Sequence, residues 1–169
     1  MTDRSRRFLL KGLAMGLGFP QLAFGFGDSS KVDLAELDLG PGSVFRPNAW
    51  KRLLYEVIQT TSVECIARAP TVGPTTPELF EHPFTVFTGD RGFEQPKEKA
   101  VEQLSRYLSY GGFLLFDDAS GGASDGFDAS VRTLVKRLFP TRGLSPLPVD
   151  HSLYRSFFLI DRPVGRLQN

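Results

Sequence analysis

The sequence predicts an α/β fold built on a parallel sheet, and residues 84–118 carry most of that prediction. They begin with a β-rich run at Phe84–Thr88, since Phe, Val and Thr favour strands. Apolar residues then recur at helical spacing, with Pro96 suited to the first turn and Gly111 to the end of the helix. Phe113–Phe116 is a continuous apolar run, typical of a strand covered on both faces. Two strands joined by such a helix form a parallel pair with a right-handed crossover.

The same kinds of pattern predict the other elements. Ala49–Gln59 has apolar residues at helical spacing, and Asn48 is a suitable cap before it. Pro70–Pro77 is rich in proline and threonine and predicts a loop. The remaining elements are strands at Val32–Leu39 and Val63–Ala67, a helix at Asp128–Phe139, an extended segment at Leu144–Val149 and a core-forming aromatic run at Tyr154–Phe158.

Composition excludes several classes of protein. A chain of 169 residues suffices for one domain plus a targeting segment. Its formal net charge of +1 gives no general nucleic-acid footprint. The single cysteine, Cys65, rules out an intramolecular disulfide framework and a cysteine-rich metal site.

The most specific short motif lies near the start of the chain. Residues 5–11 read SRRFLLK and resemble the twin-arginine export signal S-R-R-x-F-L-K, with Leu9 in place of its phenylalanine. Arg6 and Arg7 form the arginine pair. The weakly apolar run at 12–26 is shorter than the roughly 20 residues that a membrane span needs.

A twin-arginine signal implies export of the folded protein to the periplasm, with the twin-arginine translocase as a partner. Residues 1–27 are then a signal peptide and residues 28–169 the exported domain, with Ala23–Gly25 as the small-x-small cleavage site. Without cleavage, the leader is an inner-membrane anchor. Cleavage after Gly25 leaves 16 Lys and Arg against 18 Asp and Glu, a net charge of about −2. That charge argues against nucleic acid or anionic lipid as the main partner.

Several longer blocks occur in a characteristic order. The most specific are GGFLLFDD at 111–118 and DHSLYRSF at 150–157, accompanied by TGDRGF at 88–93 and FDASVRTLVKRLFP at 127–140. With these blocks the chain resembles the bacterial domain of unknown function 4159 over residues 32–166. The resemblance implies a three-layer, flavodoxin-like parallel sheet of the class I glutamine amidotransferase type and a place in the cell envelope. It also implies a C-terminally incomplete sheet, because family members continue through further strands, and no activity is established for them.

Charged residues gather where such a fold binds its ligands, beyond the carboxyl ends of the strands. Asp90 and Arg91 follow one strand, Asp117 and Asp118 end the next, and Asp125 lies in the loop after it. At most one of the two adjacent aspartates points at a ligand, because neighbouring strand residues face opposite ways. Their oxygens suit a hard cation or a sugar hydroxyl. Alternatively, they cap the following loop by accepting backbone N–H groups.

A catalytic site is the second interpretation. Asp118 and His151 would then serve as base or metal ligand in a metal-assisted periplasmic hydrolase, although His151 also suits a structural hydrogen bond. His82 is interpreted as a loop residue. Cys65 lacks the neighbouring glycines of the sharp elbow that carries the amidotransferase nucleophile, so a buried, unreactive thiol is expected.

The sequence therefore favours an exported cell-envelope module that binds a ligand or assembles with a partner without catalysis. The expected partners are a cell-envelope protein or a small molecule such as a sugar, and nucleic acid is excluded. No cofactor and no metal-ligand set is identified from the residues.

Overall fold

A computed structural model describes residues 30–121, 126–156 and 158–161. Four parallel strands form one sheet in this part of the chain, and three α-helices pack on it. The strands are β1 (Leu34–Leu37), β2 (Thr71–Val72), β3 (Phe84–Gly89) and β4 (Phe113–Asp118), and the helices are α1 (Pro47–Thr60), α2 (Glu98–Ser109) and α3 (Gly126–Leu138). The predicted three-layer α/β fold is confirmed.

The strand order is β2-β1-β3-β4. β2 therefore lies on one side of β1, and β3 and β4 lie on the other side. β1 and β3 are neighbours in space, with Glu36 opposite Val86. The connections that leave their carboxyl ends diverge, one toward α1 and the other toward α2. This divergence makes the β1–β3 boundary the topological switch point of the sheet, the place where open α/β sheets bind ligands.

The two faces of the sheet carry different layers. Ala35, Leu37 and Phe87 face α2 and α3 and form the larger apolar core with Leu104 and Leu134. The opposite face packs on α1 through a smaller cluster made of Leu34, Leu54 and Val86. Adjacent residues of β1 therefore enter opposite cores, as the alternation of strand side chains requires.

The central β3–α2–β4 unit is close to its sequence prediction. Gly111 has a φ of 96° and closes α2, and the N–H of Gly112 donates to the carbonyl of Tyr107. The position predicted for Pro96 is wrong, because Lys97 is the extended residue before the helix and α2 begins at Glu98. The Pro96 carbonyl instead accepts a hydrogen bond from Arg137 on α3 at 2.6 Å.

α1 begins earlier than the sequence predicts. Arg46 is its N-cap residue and makes no side-chain cap, so the prediction of Asn48 as the cap is wrong. Pro47 occupies the first helical position, where its fixed φ suits the helix and its missing N–H has no cost. The Arg46 N–H donates to Oε2 of Glu36 on β1 at 2.6 Å, which ties the start of α1 to the sheet.

The second strand lies at a different place from the prediction. Residues 63–67 form only an isolated bridge, in which Cys65 pairs with Val32, and β2 lies inside the predicted loop. The reason is the backbone pairing of β1, which continues past residue 67: the Glu36 N–H donates to the Pro70 carbonyl and the Asp38 N–H to the Val72 carbonyl. A 3₁₀ helix at Pro77–Glu81 then leads to β3.

Two predictions about the burial of apolar residues are wrong. β4 is covered on one face only, since Phe113 and Leu115 are 52% and 36% exposed. Of the aromatic run, Tyr154 is half-buried and Phe158 is exposed beside the 3₁₀ helix Ser152–Arg155, so neither joins a core cluster, and Phe157 lies outside the described residues. None of the described helices is long and apolar enough to cross a membrane.

Candidate functional site

The loops that follow β1 and β3 meet at the switch point and form a crevice. Ser43 forms an antiparallel bridge with Gly89, and the Val44 N–H donates to the Thr88 carbonyl at 2.8 Å. The β1 loop therefore crosses to the end of β3 instead of leaving the sheet directly. This crossing places residues 41–44 opposite residues 90–94.

Local hydrogen bonds define the shape of the β1 loop. Oδ1 of Asp38 accepts from the Gly40 N–H at 2.8 Å and from the Ser43 hydroxyl at 3.2 Å. Oγ of Ser43 in turn accepts from the Leu39 N–H. These bonds fold the loop back on its own strand, so the Gly42–Val44 backbone is held in place before any ligand arrives.

Three glycines allow the loops to approach closely. A Cβ on Gly89 would lie 2.4 Å from the Phe127 ring on α3, and one on Gly42 would lie 3.1 Å from Cβ of Phe93. A Cβ on Gly92 would meet the Gly126 carbonyl at 3.3 Å. These three glycines therefore allow close contact between the β1 loop, the end of β3 with its following loop, and α3.

The crevice is open to solvent and has a volume of about 370 Å³. This volume is near the lower end of the range for small-molecule sites. Residues of the two loops form its walls: Pro41, Gly42, Ser43, Val44, Asp90, Arg91, Gly92 and Glu94.

The charged groups of the crevice are two carboxylates and one guanidinium. Arg91 donates through Nε to Oδ1 of Asp90 at 2.8 Å and through Nη2 to Oδ2 at 3.2 Å. The hydrogen bond from Arg91 lowers the pKa of Asp90, and the positive charges of Arg91 and Arg46 lower it further. Arg91 is 73% exposed in its side chain, so its remaining N–H donors face solvent. Glu94 adds a second carboxylate to the wall.

Of the four predicted ligand residues that the structure describes, two line this cavity. Asp90 and Arg91 lie in its wall. Asp117 accepts a long hydrogen bond from Thr88 at 3.4 Å, and Asp118 accepts from the Ser120 N–H at 2.8 Å, so each has a local structural contact. Asp118 stands beside Gly89 in the strand register and remains at the same edge of the sheet. Asp125 lies outside the described residues, as do Arg6 and Arg7 of the export motif.

The predicted catalytic pair has no direct contact in the described part of the chain. His151 is exposed, and its Nδ1 accepts from the Leu153 N–H at 3.1 Å. Across residues 30–121, 126–156 and 158–161, no group of three or more His, Cys, Asp or Glu side chains is placed to hold a metal ion. Cys65 is half-buried, and burial raises the pKa of its thiol, which disfavours the nucleophilic thiolate.

His82 lies in the connection between the 3₁₀ helix and β3, as the sequence predicts, and is buried at the opposite, amino edge of the sheet. Its Nδ1 is 3.1 Å from Oδ2 of Asp33, an ion-pair distance without hydrogen-bond alignment. The Tyr107 hydroxyl donates to the His82 carbonyl at 2.8 Å. The pair is therefore built into the fold at the end of the sheet away from the crevice.

Sequence reasoning missed the β1 half of the crevice. The sequence analysis did not single out Gly42, Ser43 or Glu94 as candidate site residues. Their role depends on β1 lying beside β3, and no local pattern encodes that neighbourhood. The one available signal was the general rule that a doubly wound sheet binds ligands where its strand order reverses.

Glu36 is a further residue that the sequence did not single out. It lies in β1 and is 3% exposed. Burial raises its pKa, and the hydrogen bond from the Arg46 N–H partly opposes that change. Oε1 has no hydrogen-bond partner among the described residues. The carboxylate stands under the amino end of α1, where the helix dipole favours negative charge.

Comparison with known sequences identifies the domain. The family described as Domain of unknown function (DUF4159) matches residues 33–168, a span that contains the four strands and three α-helices of the described residues. No curated protein matches the sequence.

Proposed function

This chain belongs to the DUF4159 family, and we propose that it is a non-catalytic ligand-binding module whose site is the crevice between the β1 and β3 loops. The observation that carries the proposal is the cavity of about 370 Å³ at the switch point of the sheet. A parallel sheet concentrates loop backbone and helix starts at this edge, which is why such folds bind ligands there.

The lining favours a small, polar, uncharged ligand with several hydroxyl groups. Asp90 and Glu94 supply acceptors, Arg91 supplies donors, and the Ser43 hydroxyl is close by. A single sugar ring or a polyol presents hydroxyls that both donate and accept, so it can use a carboxylate and a guanidinium at once. An anion would meet two carboxylates, and a cation would meet a guanidinium, so both are less suited to this wall.

The test is a thermal melt of the full chain with glucose, galactose, N-acetylglucosamine, glycerol, Mg²⁺ and Ca²⁺ as separate probes. A probe that binds only the folded state stabilises it by about 2.7 kcal/mol when present at 100 times its Kd. Arg91→Ala and Glu94→Gln should each reduce the shift, because each removes polar contacts from the wall. Both side chains are on the surface, so the melt without a probe should change little.

Asp118→Ala is the matched control, since Asp118 is at the same sheet edge but outside the cavity wall. A sugar-induced shift that survives Asp118→Ala and falls with Arg91→Ala supports the crevice. A shift that Asp118→Ala removes would place the site at the end of β4 and contradict the proposal. A shift caused only by a divalent cation would contradict the proposed sugar or polyol ligand. A cooperative melt that no probe shifts also counts against it.

We propose further that the module works in the periplasm after export by the twin-arginine translocase. The supporting feature is the SRRFLLK motif with Arg6 and Arg7. Changing both to lysine keeps the charge and removes the arginine pair. The precursor of this double variant should accumulate in the cytoplasm, as measured by fractionation and immunoblotting. An unchanged periplasmic yield would exclude this route.

A further inference from the structure

A buried carboxylate holds the far end of the β1 loop. This loop, residues 38–46, leaves β1, forms one wall of the crevice through residues 41–44 and enters α1 at Pro47. The N–H of Arg46, its last residue, donates to Oε2 of Glu36 at 2.6 Å. Glu36 lies in β1 and is 3% exposed. One hydrogen bond therefore closes the loop back onto the strand from which it starts.

Other hydrogen bonds hold the same loop without using a buried charge. Oδ1 of Asp38 accepts from the Ser43 hydroxyl at 3.2 Å, and the Val44 N–H donates to the Thr88 carbonyl at 2.8 Å. Asp38 is partly exposed, so its carboxylate keeps some contact with water. Among these contacts of the loop, the one with Glu36 is therefore the contact that depends on the protonation of a buried group.

The surroundings of Glu36 disfavour its charged form. Its partners across the sheet are Thr71 on β2 and Val86 on β3, and neither carries a charge. The cluster on this face of the sheet, which includes Leu34 and Leu54, is apolar. Burial raises the pKa of Glu36, and a backbone N–H opposes that change only in part. The protonated carboxyl is therefore favoured up to a higher pH than in an exposed glutamate.

The charged side chains around the crevice have other partners. Arg91 forms an ion pair with Asp90, and the positive charge of Arg46 also acts on Asp90. Asp38 accepts hydrogen bonds within its own loop. Among the described residues, none of these charges contributes to the pKa shift of Glu36. That pKa is therefore set by burial and by the Arg46 N–H, not by an ion pair.

Loss of the Glu36 proton has two opposed effects. The ionised carboxylate accepts more strongly from the Arg46 N–H and is favoured by the amino end of α1. It is also kept from water, and this effect is the larger one because the pKa is raised. The ionised side chain gains hydration when the Arg46 N–H is released and the loop moves off β1. Deprotonation therefore favours a loosened β1 loop, and protonation favours the closed one.

We propose that Glu36 is the positioning residue of the crevice, and that its protonation holds the β1 loop in the geometry that binds the ligand. This inference rests on the proposed function in taking the crevice as the binding site. Because coupling between sites is reciprocal, a sugar that binds the closed loop favours the protonated carboxyl. Affinity should then fall as pH rises through the raised pKa, by at most about tenfold per pH unit for one linked proton.

The first measurement uses the ¹⁵N-labelled full chain without a ligand. The amide signals of Gly42, Val44 and Arg46 should shift together as pH rises, with one midpoint above the usual glutamate pKa of 4.5. Glu36→Gln keeps an oxygen that accepts from the Arg46 N–H and removes the titration, so this midpoint should disappear. Leu34→Ala changes a buried residue of the same strand outside the loop. It is the control for lost stability and should retain the midpoint.

Glu36→Leu removes the acceptor at every pH. At pH 4.5, hydrogen exchange of the Arg46 amide should be at least about tenfold faster in this variant than in Glu36→Gln, because a buried hydrogen bond is lost. The Val86 amide of β3 is the internal reference and should change much less. An equal increase at Val86 would indicate general destabilisation and would contradict a local role for Glu36.

A final measurement separates this inference from the proposed function. The Kd of glucose, galactose or N-acetylglucosamine should rise with pH for the natural chain and stay constant for Glu36→Gln. A midpoint that Glu36→Gln removes supports the role of Glu36 even if none of these sugars binds, and only the sugar-binding proposal then fails. Amide signals without this midpoint, or a midpoint that survives Glu36→Gln, overturn the role of Glu36 and leave a sugar-binding crevice intact.

Discussion

Gly89 gives the sharpest stability prediction, because the crevice depends on its missing side chain. A Cβ at this position would lie 2.4 Å from Cε2 and 2.6 Å from Cδ2 of Phe127. The Phe127 ring is 2% exposed and stacks on Phe87 at 5.7 Å, so it has little room to move. Overpacking of this kind costs about 1–3 kcal/mol. Gly89→Ala should therefore lower the melting temperature by about 2–4 °C for each kcal/mol.

Gly143→Ala is the matched control, since a Cβ there meets nothing within 4 Å. Urea unfolding of the two variants should differ by at least about 1 kcal/mol. Adding Phe127→Leu to Gly89→Ala should recover part of the loss, with a favourable coupling of about 0.5–3 kcal/mol, because the smaller side chain vacates the space. Equal stability of Gly89→Ala and Gly143→Ala would refute the claim that contact with the Phe127 ring requires glycine at position 89.

The remaining predictions concern buried polar groups. Tyr107→Phe removes a hydroxyl that donates to the carbonyls of His82 and Phe113, and should cost about 1–3 kcal/mol in urea unfolding; a cost below about 0.5 kcal/mol would show that water replaces it. Burial raises the pKa of Glu36 in the folded state above its usual 4.5, so stability should fall as pH rises from that value through the raised pKa. Glu36→Gln should remove this loss, and parallel pH profiles of the two proteins would contradict the assignment. Because burial raises the pKa of Cys65, iodoacetamide should react more slowly with the native chain at pH 7 than with the urea-unfolded chain; equal rates would exclude this.

Sequence patterns predict local elements of this chain well where one helix or strand dominates its own contacts. The β3–α2–β4 unit follows from a β-rich run, an apolar stripe and a glycine pair, and all three are local signals. β2 was misplaced because Thr71 and Val72 pair with β1, which is distant in the sequence. That pairing outweighs the strand propensity of Val63–Ala67. The exposed face of β4 was missed for a related reason. An apolar run indicates that burial of the strand is favourable, but it does not indicate which other element covers each face.

The crevice lies at the edge of the sheet where the sequence predicts a site, but one of its walls comes from a loop that the sequence analysis did not single out. Asp90 and Arg91 lie in the cavity wall, as expected of residues that follow a central strand. Gly42 and Ser43 come from a loop 46 or more positions earlier in the chain than Asp90 and Gly89. Only the β2-β1-β3-β4 order joins the two loops, and strand order is a property of the whole sheet.

The most direct test of the central claim is a chemical-shift titration of the ¹⁵N-labelled full chain with glucose, galactose and N-acetylglucosamine. Binding in the crevice should move the backbone amides of Gly42 and Gly92, which lie in the cavity wall, and leave the Ser120 amide at the end of β4 unchanged. Shifts centred on Ser120, or no shifts with any of the three sugars, would contradict a sugar-binding site between the β1 and β3 loops.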